Sequence, residues 1–352
     1  MNNILNKRQE TILSLLEKNG SFGIVEIFKN INSVLPGVAK ITISRDIKVL
    51  LGLSYIKSYG KARATRYELS AHYNLIRPID VEKYFKTETD KRNAKEKFDF
   101  NIFSELSEIF VESEIVLLNR LNEEYQRNIK IIPPSIQKKE FERLVIELSW
   151  KSSQIEGNTY SLLETEALIE GKEEAAGHKK EEAVMILNHK EALDYINKNR
   201  AVFAKISIAK IEDVHYLLTK NLGIARNLRK TAVGIVGTKY RPLDNSHQIT
   251  EALEKTCNLV NKENNVFCKA VILSLLIAYI QPFEDGNKRT SRLVANAILL
   301  AGGACPLSYR NVDEAEYKKA VVLFYEQNNL SYFKSLFIEQ FKFAVENYFQ
   351  AR

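Results

Sequence analysis

The segment Gln281-Pro282-Phe283-Glu284-Asp285-Gly286-Asn287-Lys288-Arg289-Thr290-Ser291-Arg292 crowds two carboxylates, a Gly-Asn pair and three basic side chains into twelve residues. Asp285 offers a hard oxygen ligand of the kind Mg2+ takes, and that ion keeps several waters and bridges phosphates. Glu284 beside it is expected to point elsewhere. The amides of Gly286, Asn287 and Lys288 are expected at a helix N-terminus, where unpaired N–H groups favour an anion. Arg289 and Arg292 can each make paired contacts to phosphate oxygens. The combination suits a nucleotide–magnesium site. Its first residue, Gln281, is a neutral amide without useful proton affinity, so it cannot act as a general base.

The elements around this segment must hold it rigidly. Residues 270–280 are apolar on all sides and predict a buried helix. Residues 291–301 predict a second, ending at Gly302-Gly303, so the segment reads as a short loop between two buried helices. A helix over about 137–157 ends at Glu156-Gly157. A carboxylate as the last helical residue opposes the macrodipole by about 0.3–1 kcal/mol and is more tolerable where an arginine meets it. Ser152 lies four residues earlier on the same face, and Ser161-Leu162-Leu163-Glu164 forms a capping box that opens the next helix. Residues 231–243 predict a β-hairpin, with Val233 and Ile235 alternating on one arm, Tyr240 on the other and Gly237-Thr238 at the turn. Its open edge is suited to an extended segment of another protein.

The net charge of +7 is placed unevenly: residues 1–70 hold 11 Lys and Arg against 5 Asp and Glu. That asymmetry points to a basic module with an acidic partner. Residues 1–72 read as three short helices and two strands, the third helix starting at Thr42 with its hydroxyl as cap. This order resembles the winged helix-turn-helix family. The resemblance implies that Thr42, Ser44, Arg45 and Lys48 face a major groove of double-stranded DNA, while Lys61, Arg63 and Arg66 meet phosphates. Residues 73–100 read as a linker with some structure, in which the stretch 86–97 is too charged to pack a core. From there the chain is mainly helical. A helical region spans 101–204, with one helix over about 101–130 and a break at Pro133-Pro134. The aromatic spacing of Tyr317, Val321, Phe324, Phe333, Phe337 and Phe341 in residues 304–352 reads as packing. Three scattered cysteines exclude a disulfide framework, and the absence of a leader pattern or a long apolar span leads to the expectation of a cytoplasmic protein with no membrane partner. A homodimer stays open.

Residues 281–292 resemble the Fic family, which includes the related Doc toxins. The family pattern is His-Pro-Phe-x-(Asp/Glu)-Gly-Asn-(Gly/Lys)-Arg-x-x-Arg, met here by Pro282, Phe283, Asp285, Gly286, Asn287, Lys288, Arg289 and Arg292. Ser152 to Gly157 is similar to the family's inhibitory motif, (Ser/Thr)-x-x-x-Glu-(Gly/Asn), placed before the core as in the class with an N-terminal inhibitory helix. The resemblance implies a mainly α fold, with a Fic-type helical core at 205–303, a β-hairpin flap at 231–243, and an α+β winged-helix domain in front. It implies AMP transfer from ATP to a hydroxyl of a target protein. Asp285 would bind Mg2+, Asn287 and the loop amides the α-phosphate, Arg289 the phosphates and Arg292 the γ-phosphate. Glu156 would pair with Arg292 and block ATP, and the flap residues Val233, Ile235 and Tyr240 would align the target. Two departures bear on turnover. Gln281 stands where the family has its catalytic histidine. Lys288 is shared with Doc, a protein kinase. Alternatives are therefore a catalytically inactive, nucleotide-sensing DNA-binding regulator and a Doc-like kinase.

Overall fold

The computed structural model of the chain describes residues 5–70, 72–171 and 173–351; the side chain of Arg63, expected at a phosphate, lies outside the described residues. The chain is mainly helical. The N-terminal part folds as α1 (Lys7–Asn19), β1 (Phe22–Gly23), α2 (Ile24–Val34), α3 (Lys40–Gly52), β2 (Ile56–Tyr59) and β3 (Arg66–Leu69), with an antiparallel sheet in the order β1-β3-β2. Ile12, Leu16, Ile27, Ile31, Ile43, Ile47 and Leu50 bury their side chains between the three helices. Buried Asp46 on α3 pairs with Arg8 at 2.8 Å and accepts from the side-chain amides of Asn6 and Gln9, tying α3 to the start of α1. α3 begins at Lys40, earlier than expected, and Thr42 lies inside it rather than capping it. The reason lies upstream: the Asn32 side chain donates to the Val38 carbonyl and accepts from the Val38 amide, so the chain leaves the Pro36-Gly37 turn already aimed for a helix.

Residues 73–100 are structured. They carry α4 (Tyr73–Ile76) and α5 (Val81–Lys86), bury Leu75 and Ile76, and lie along the C-terminal helices. Their charge does not prevent packing because the decisive charge is paired: Arg92 and Glu326, both buried, meet at 3.1 Å. The helix expected over 101–130 is two, α6 (Ile102–Glu105) and α7 (Glu112–Ile131). Between them Glu108 takes a positive φ of 49°, and Leu106, Ile109 and Phe110 turn inward off any single helical stripe. Glu114 then accepts from the Val111 amide and restarts the helix.

α8 (Pro134–Ile155) starts at Pro134, where a missing N–H costs nothing. Trp150 on α8 donates its indole N–H to the Tyr160 carbonyl at 3.1 Å. Beyond the turn come α9 (Leu162–Gly171), opened by the expected Ser161–Glu164 capping box, and α10 (Lys180–Lys198). The remaining helices are α11 (Ile208–Thr219), α12 (Ser246–Lys262), α13 (Val266–Ile280), α14 (Asn287–Ala301), α15 (Glu314–Gln327) and α16 (Ser331–Asn347). Every residue from Ala270 to Ile280 is buried, so α13 is the central helix, and α14 packs along it. No helix among the described residues is long and apolar enough to cross a membrane.

Residues 231–243 do not form a hairpin. The segment is an extended strap with a turn at Val236-Gly237, and its one bridge is to another part of the chain, Lys97 with Arg241. The returning arm has spent its pairing groups elsewhere: Arg241 donates its amide to Glu96, Pro242 has no N–H, and Tyr240 is drawn into the core.

Candidate active site

The loop between α13 and α14 is held by its own side chains. Asn287 accepts from the Phe283 amide at 2.8 Å and donates to the Phe283 carbonyl at 2.8 Å and to Gln281 Oε1 at 3.1 Å. Its side chain therefore braces the loop at the floor of the cleft. Gln281, in left-handed backbone, donates its amide to Ala278 at 2.7 Å, so both ends of that side chain are engaged. Gly286 caps α14 with φ near +80°, and a Cβ there would lie 3.0 Å from Thr219 and 3.4 Å from His215. Both the dihedral and the space call for glycine. Phe283 is fully buried and stacks on His215 at 3.6 Å between ring centroids. His215 bonds the Asp285 carbonyl at 3.0 Å; burial pushes its pKa down to about 4, so it stands neutral as the Nε2–H donor.

The first bond within α14 runs from the Thr290 amide to Gly286, leaving the amides of Asn287, Lys288 and Arg289 directed out of the helix start. The Gly286 amide, expected among the anion ligands, is instead taken by Asp285 Oδ1 at 2.6 Å. Asp285 Oδ2 meets Arg289 at 3.1 Å, yet the Asp285 side chain keeps 69% of its surface exposed. Arg289 is buried, and burial lowers its pKa despite Asp285 and Glu156 nearby; its Nη1 is buried with no partner. An orphaned cationic donor of this kind is costly until an anion reaches it.

α8 ends with Glu156 as its C-cap, one position beyond the helix and not within it, because Gly157 takes a φ of +96° and the Gly157 and Asn158 amides turn back to Gln154 and Ser153. This aims Glu156 at α14. Glu156 Oε1 meets Arg292 at 2.9 Å and Oε2 lies 3.7 Å from Lys288. Burial alone would raise the Glu156 pKa; Arg292, Lys288 and Arg289 outweigh it and hold the carboxyl below its usual range. Arg292 is wholly buried and also donates to Ser152 Oγ at 3.0 Å and the Ser152 carbonyl at 2.9 Å. Burial lowers its pKa, but Glu156 and Tyr317 together raise it further. Behind Ser152 lies His189, whose pKa burial drives down to about 3. Neutral His189 bonds the Met185 carbonyl through Nδ1, which fixes Nε2 as the acceptor for the Ser152 hydroxyl.

These elements enclose a cleft of about 470 Å³. Its floor is Gln281, Glu284, Asp285, Gly286, Asn287, Lys288 and Arg289; Ile155, Glu156 and Gly157 close one end; the strap Val233–Val236 forms one wall. Another wall is α15, through Tyr317, Lys318, Val321, Val322 and Tyr325. Tyr317 and Val321, expected only to pack, and Glu284, expected to point elsewhere, all line the cleft. Arg292 does not line it, but its partner Glu156 does. Tyr240 is 1% exposed and donates its hydroxyl to Tyr279, so it cannot meet a target segment from the strap. Another residue missed in the sequence is Arg229, fully buried, which donates to the Gln281 carbonyl at 2.6 Å and to Thr231 and Leu243 at the two ends of the strap. A lone arginine outside any motif gives no signal of such a role.

Residues 205–299 match the model of the Fic/DOC family. These residues are a Fic/DOC family domain. The chain is 30% identical over 210 residues to a protein named protein adenylyltransferase Fic of Nematostella vectensis, covering 57% of this chain and 48% of that one. With protein adenylyltransferase fic-1 of Caenorhabditis elegans it shares 27% over 169 residues, 46% of this chain and 33% of the other. The chain thus spans half or less of the length of these curated relatives. In fold it is similar to the solved structure of Fic-1 (residues 134–508) from C. elegans, with a TM-score of 0.57 at 21% identity over 67% of this chain and 72% of that one. It is also similar to a Fic-domain-containing signaling protein from Bacteroides thetaiotaomicron, with a TM-score of 0.54 at 17% identity over 65% and 96%. The Fic/DOC domain supplies α11 to α14 and the strap, while α8 and the α15 wall lie outside the matched residues.

On the N-terminal unit, Arg45, Lys48 and Lys61 are exposed, and Ile41 and Val49 are exposed beside them on α3. Thr42 and Ser44 are half-buried, and Ser44 spends its hydroxyl on the Lys40 carbonyl. Arg66, expected at a phosphate, donates to the Ser21 carbonyl at 2.6 Å and lies 3.5 Å from Glu26, with 41% of its side chain still exposed.

Proposed function

We propose that this chain is a Fic-type protein adenylyltransferase held off by Glu156 and slowed by Gln281. The observation that carries this is the buried Arg292, locked to Glu156 and Ser152 behind a cleft floored by the Asp285–Arg289 turn. With Glu156 displaced, Arg292 is the cation that takes the γ-phosphate, and the orphaned Nη1 of Arg289 meets phosphate oxygens. The amides at the start of α14 take the α-phosphate, with Asn287, which lines the cleft floor, beside them. The residues fit Mg2+: Asp285 presents an exposed carboxylate at the cleft, suited to an ion shared with phosphates and water. That ion would neutralise phosphate charge. In the transfer, a target hydroxyl oxygen attacks the α-phosphorus, the bond to the bridging oxygen breaks, and pyrophosphate leaves. With no base at position 281, the hydroxyl proton passes to water or to the departing pyrophosphate. The strap Val233–Val236, with Val236 98% exposed, lies where an extended target segment would run beside the cleft.

The engagement of both ends of Gln281 favours a second reading, a nucleotide-sensing regulator that has lost turnover and acts through DNA bound by residues 1–70, which we read as a winged helix. Arg45, Lys48 and Lys61 would carry that contact. Incubation with α-labelled ATP, Mg2+ and cell lysate, using wild type, Glu156→Gly and the double variant Glu156→Gly/Gln281→His, separates the two. Labelling by the double variant supports the transferase. Nucleotide binding with no labelling in any form supports the regulator, and γ-label on a target in place of α-label supports a Doc-like kinase.

A further inference from the structure

Residues 87–97, between the N-terminal unit and the helical body, touch both walls of the cleft from outside. Arg92 Nη1 donates to the two carboxylate oxygens of Glu326 at 3.1 and 3.2 Å, Nη2 to Thr89 Oγ1 at 2.6 Å and to the Gly237 carbonyl at 3.3 Å, and Nε to the Thr87 carbonyl at 3.2 Å. Glu326 is fully buried on α15 and also accepts the Tyr84 hydroxyl at 2.7 Å. It directly follows Tyr325, a cleft residue whose own hydroxyl is buried without a partner. Gly237 closes the turn of the strap. A single guanidinium therefore reaches one wall through Glu326 and the other through Gly237. A second, outer tie runs parallel: Lys239 Nζ lies 3.4 Å from the Asp90 carbonyl and 3.5 Å from Glu96, whose carbonyl accepts the Arg241 amide at 2.9 Å. The strap has no ladder of its own between 231 and 243. Its distal half depends on the connector for position, as Arg229 fixes its two ends.

We propose that Arg92 is a positioning residue for the cleft: it sets the spacing between α15 and the strap and transmits any displacement of the connector, and so of the N-terminal unit above it, to the cleft wall. The proposal rests on the nucleotide reading only for what the cleft holds. Guanidinium geometry is needed because four separate acceptors are served at once, which a lysine cannot do.

The test is hydrogen exchange on the full chain in wild type, Arg92→Ala, Arg92→Lys and Lys239→Ala, with calorimetric titration of Mg-ATP against the same changes in a Glu156→Gly background. Arg92→Ala should speed exchange at 233–241 by about tenfold or more while α13 and α14 stay protected, and weaken ATP by about tenfold. Arg92→Lys should fall between, and Lys239→Ala, which cuts only the outer tie, should loosen the strap without disturbing the fold. Unchanged protection at 233–241 in Arg92→Lys and Lys239→Ala overturns the proposal, as does a uniform rise over the whole body in Arg92→Ala. If Glu156→Gly alone binds no ATP, the nucleotide reading fails, and exchange at 233–241 still decides the role of Arg92.

Discussion

On α14, Arg289 and Arg292 are buried and each faces one identified carboxylate, whereas on α3 Arg45 and Lys48 stand in solvent with no ion-pair partner among the described residues. Both regions are basic, and the difference lies in what the charge costs. A buried guanidinium is destabilising unless an anion is delivered at the right place, so its surroundings specify that anion's position. A surface cation costs little and attracts phosphate weakly and over a range, screened by salt. The first arrangement can hold a particular ligand in a particular pose; the second can supply affinity for a charged polymer.

The largest test of this contrast is Gln281→His with Glu156→Gly. It should raise transfer of α-label by about 10²–10⁴-fold over Glu156→Gly alone, the usual range for a general base, measured by initial rates. No gain would place the limit outside proton removal. Next is Arg292→Ala, which leaves Glu156 without its hydrogen-bonded partner and with only the more distant Lys288 and Arg289. It should lower unfolding free energy by about 3–5 kcal/mol in urea melts and abolish ATP binding, whereas Lys48→Ala should stay within about 0.5 kcal/mol of wild type.

A smaller effect is set by pH. His189 and His215 are buried neutral, with pKa values near 3 and 4 against about 6.5 unfolded. Below pH 6.5 the unfolded chain binds more protons, so stability is complete above that value and declines as pH falls toward 4, by up to about 1.4 kcal/mol per unit for each histidine. Residues 5–70 contain no histidine, so exchange protection in the N-terminal unit should not follow this decline. His189→Gln should flatten the slope. Smallest are Arg45→Ala and Lys48→Ala, each expected to weaken duplex DNA binding roughly uniformly across sequences and lower the salt slope by about 1. Binding that ignores salt would remove DNA from the account.

The sequence made the α14 region legible because its chemistry is local. Asp285, Gly286, Arg289 and Arg292 lie within eight residues, and the reach of Glu156 to Arg292 follows from the family pattern on both segments. What it hid is non-local. Tyr317, Val321 and Tyr325 line the cleft at helical spacing that any core helix shows, and Arg92 and Glu326 lie 234 positions apart. Periodicity also misled at the strap, where Val233 and Ile235 alternate as a strand would, but the partner arm pairs with residue 97 instead. Asn287 has the expected identity and another use, because a side chain with two donors and an acceptor is as well suited to bracing a loop as to binding an anion.

Trp150, the chain's one tryptophan, sits on α8 two residues before Ser152 and six before Glu156, with its indole fixed on the Tyr160 carbonyl and the Lys151 ammonium 5.3 Å from the ring. The indole therefore stands as an optical gauge close to the Glu156–Arg292 pair. If Glu156→Gly loosens the C-terminal turn of α8, tryptophan-selective emission of the unlabelled protein is expected to shift, and an unchanged spectrum would place that turn outside the response.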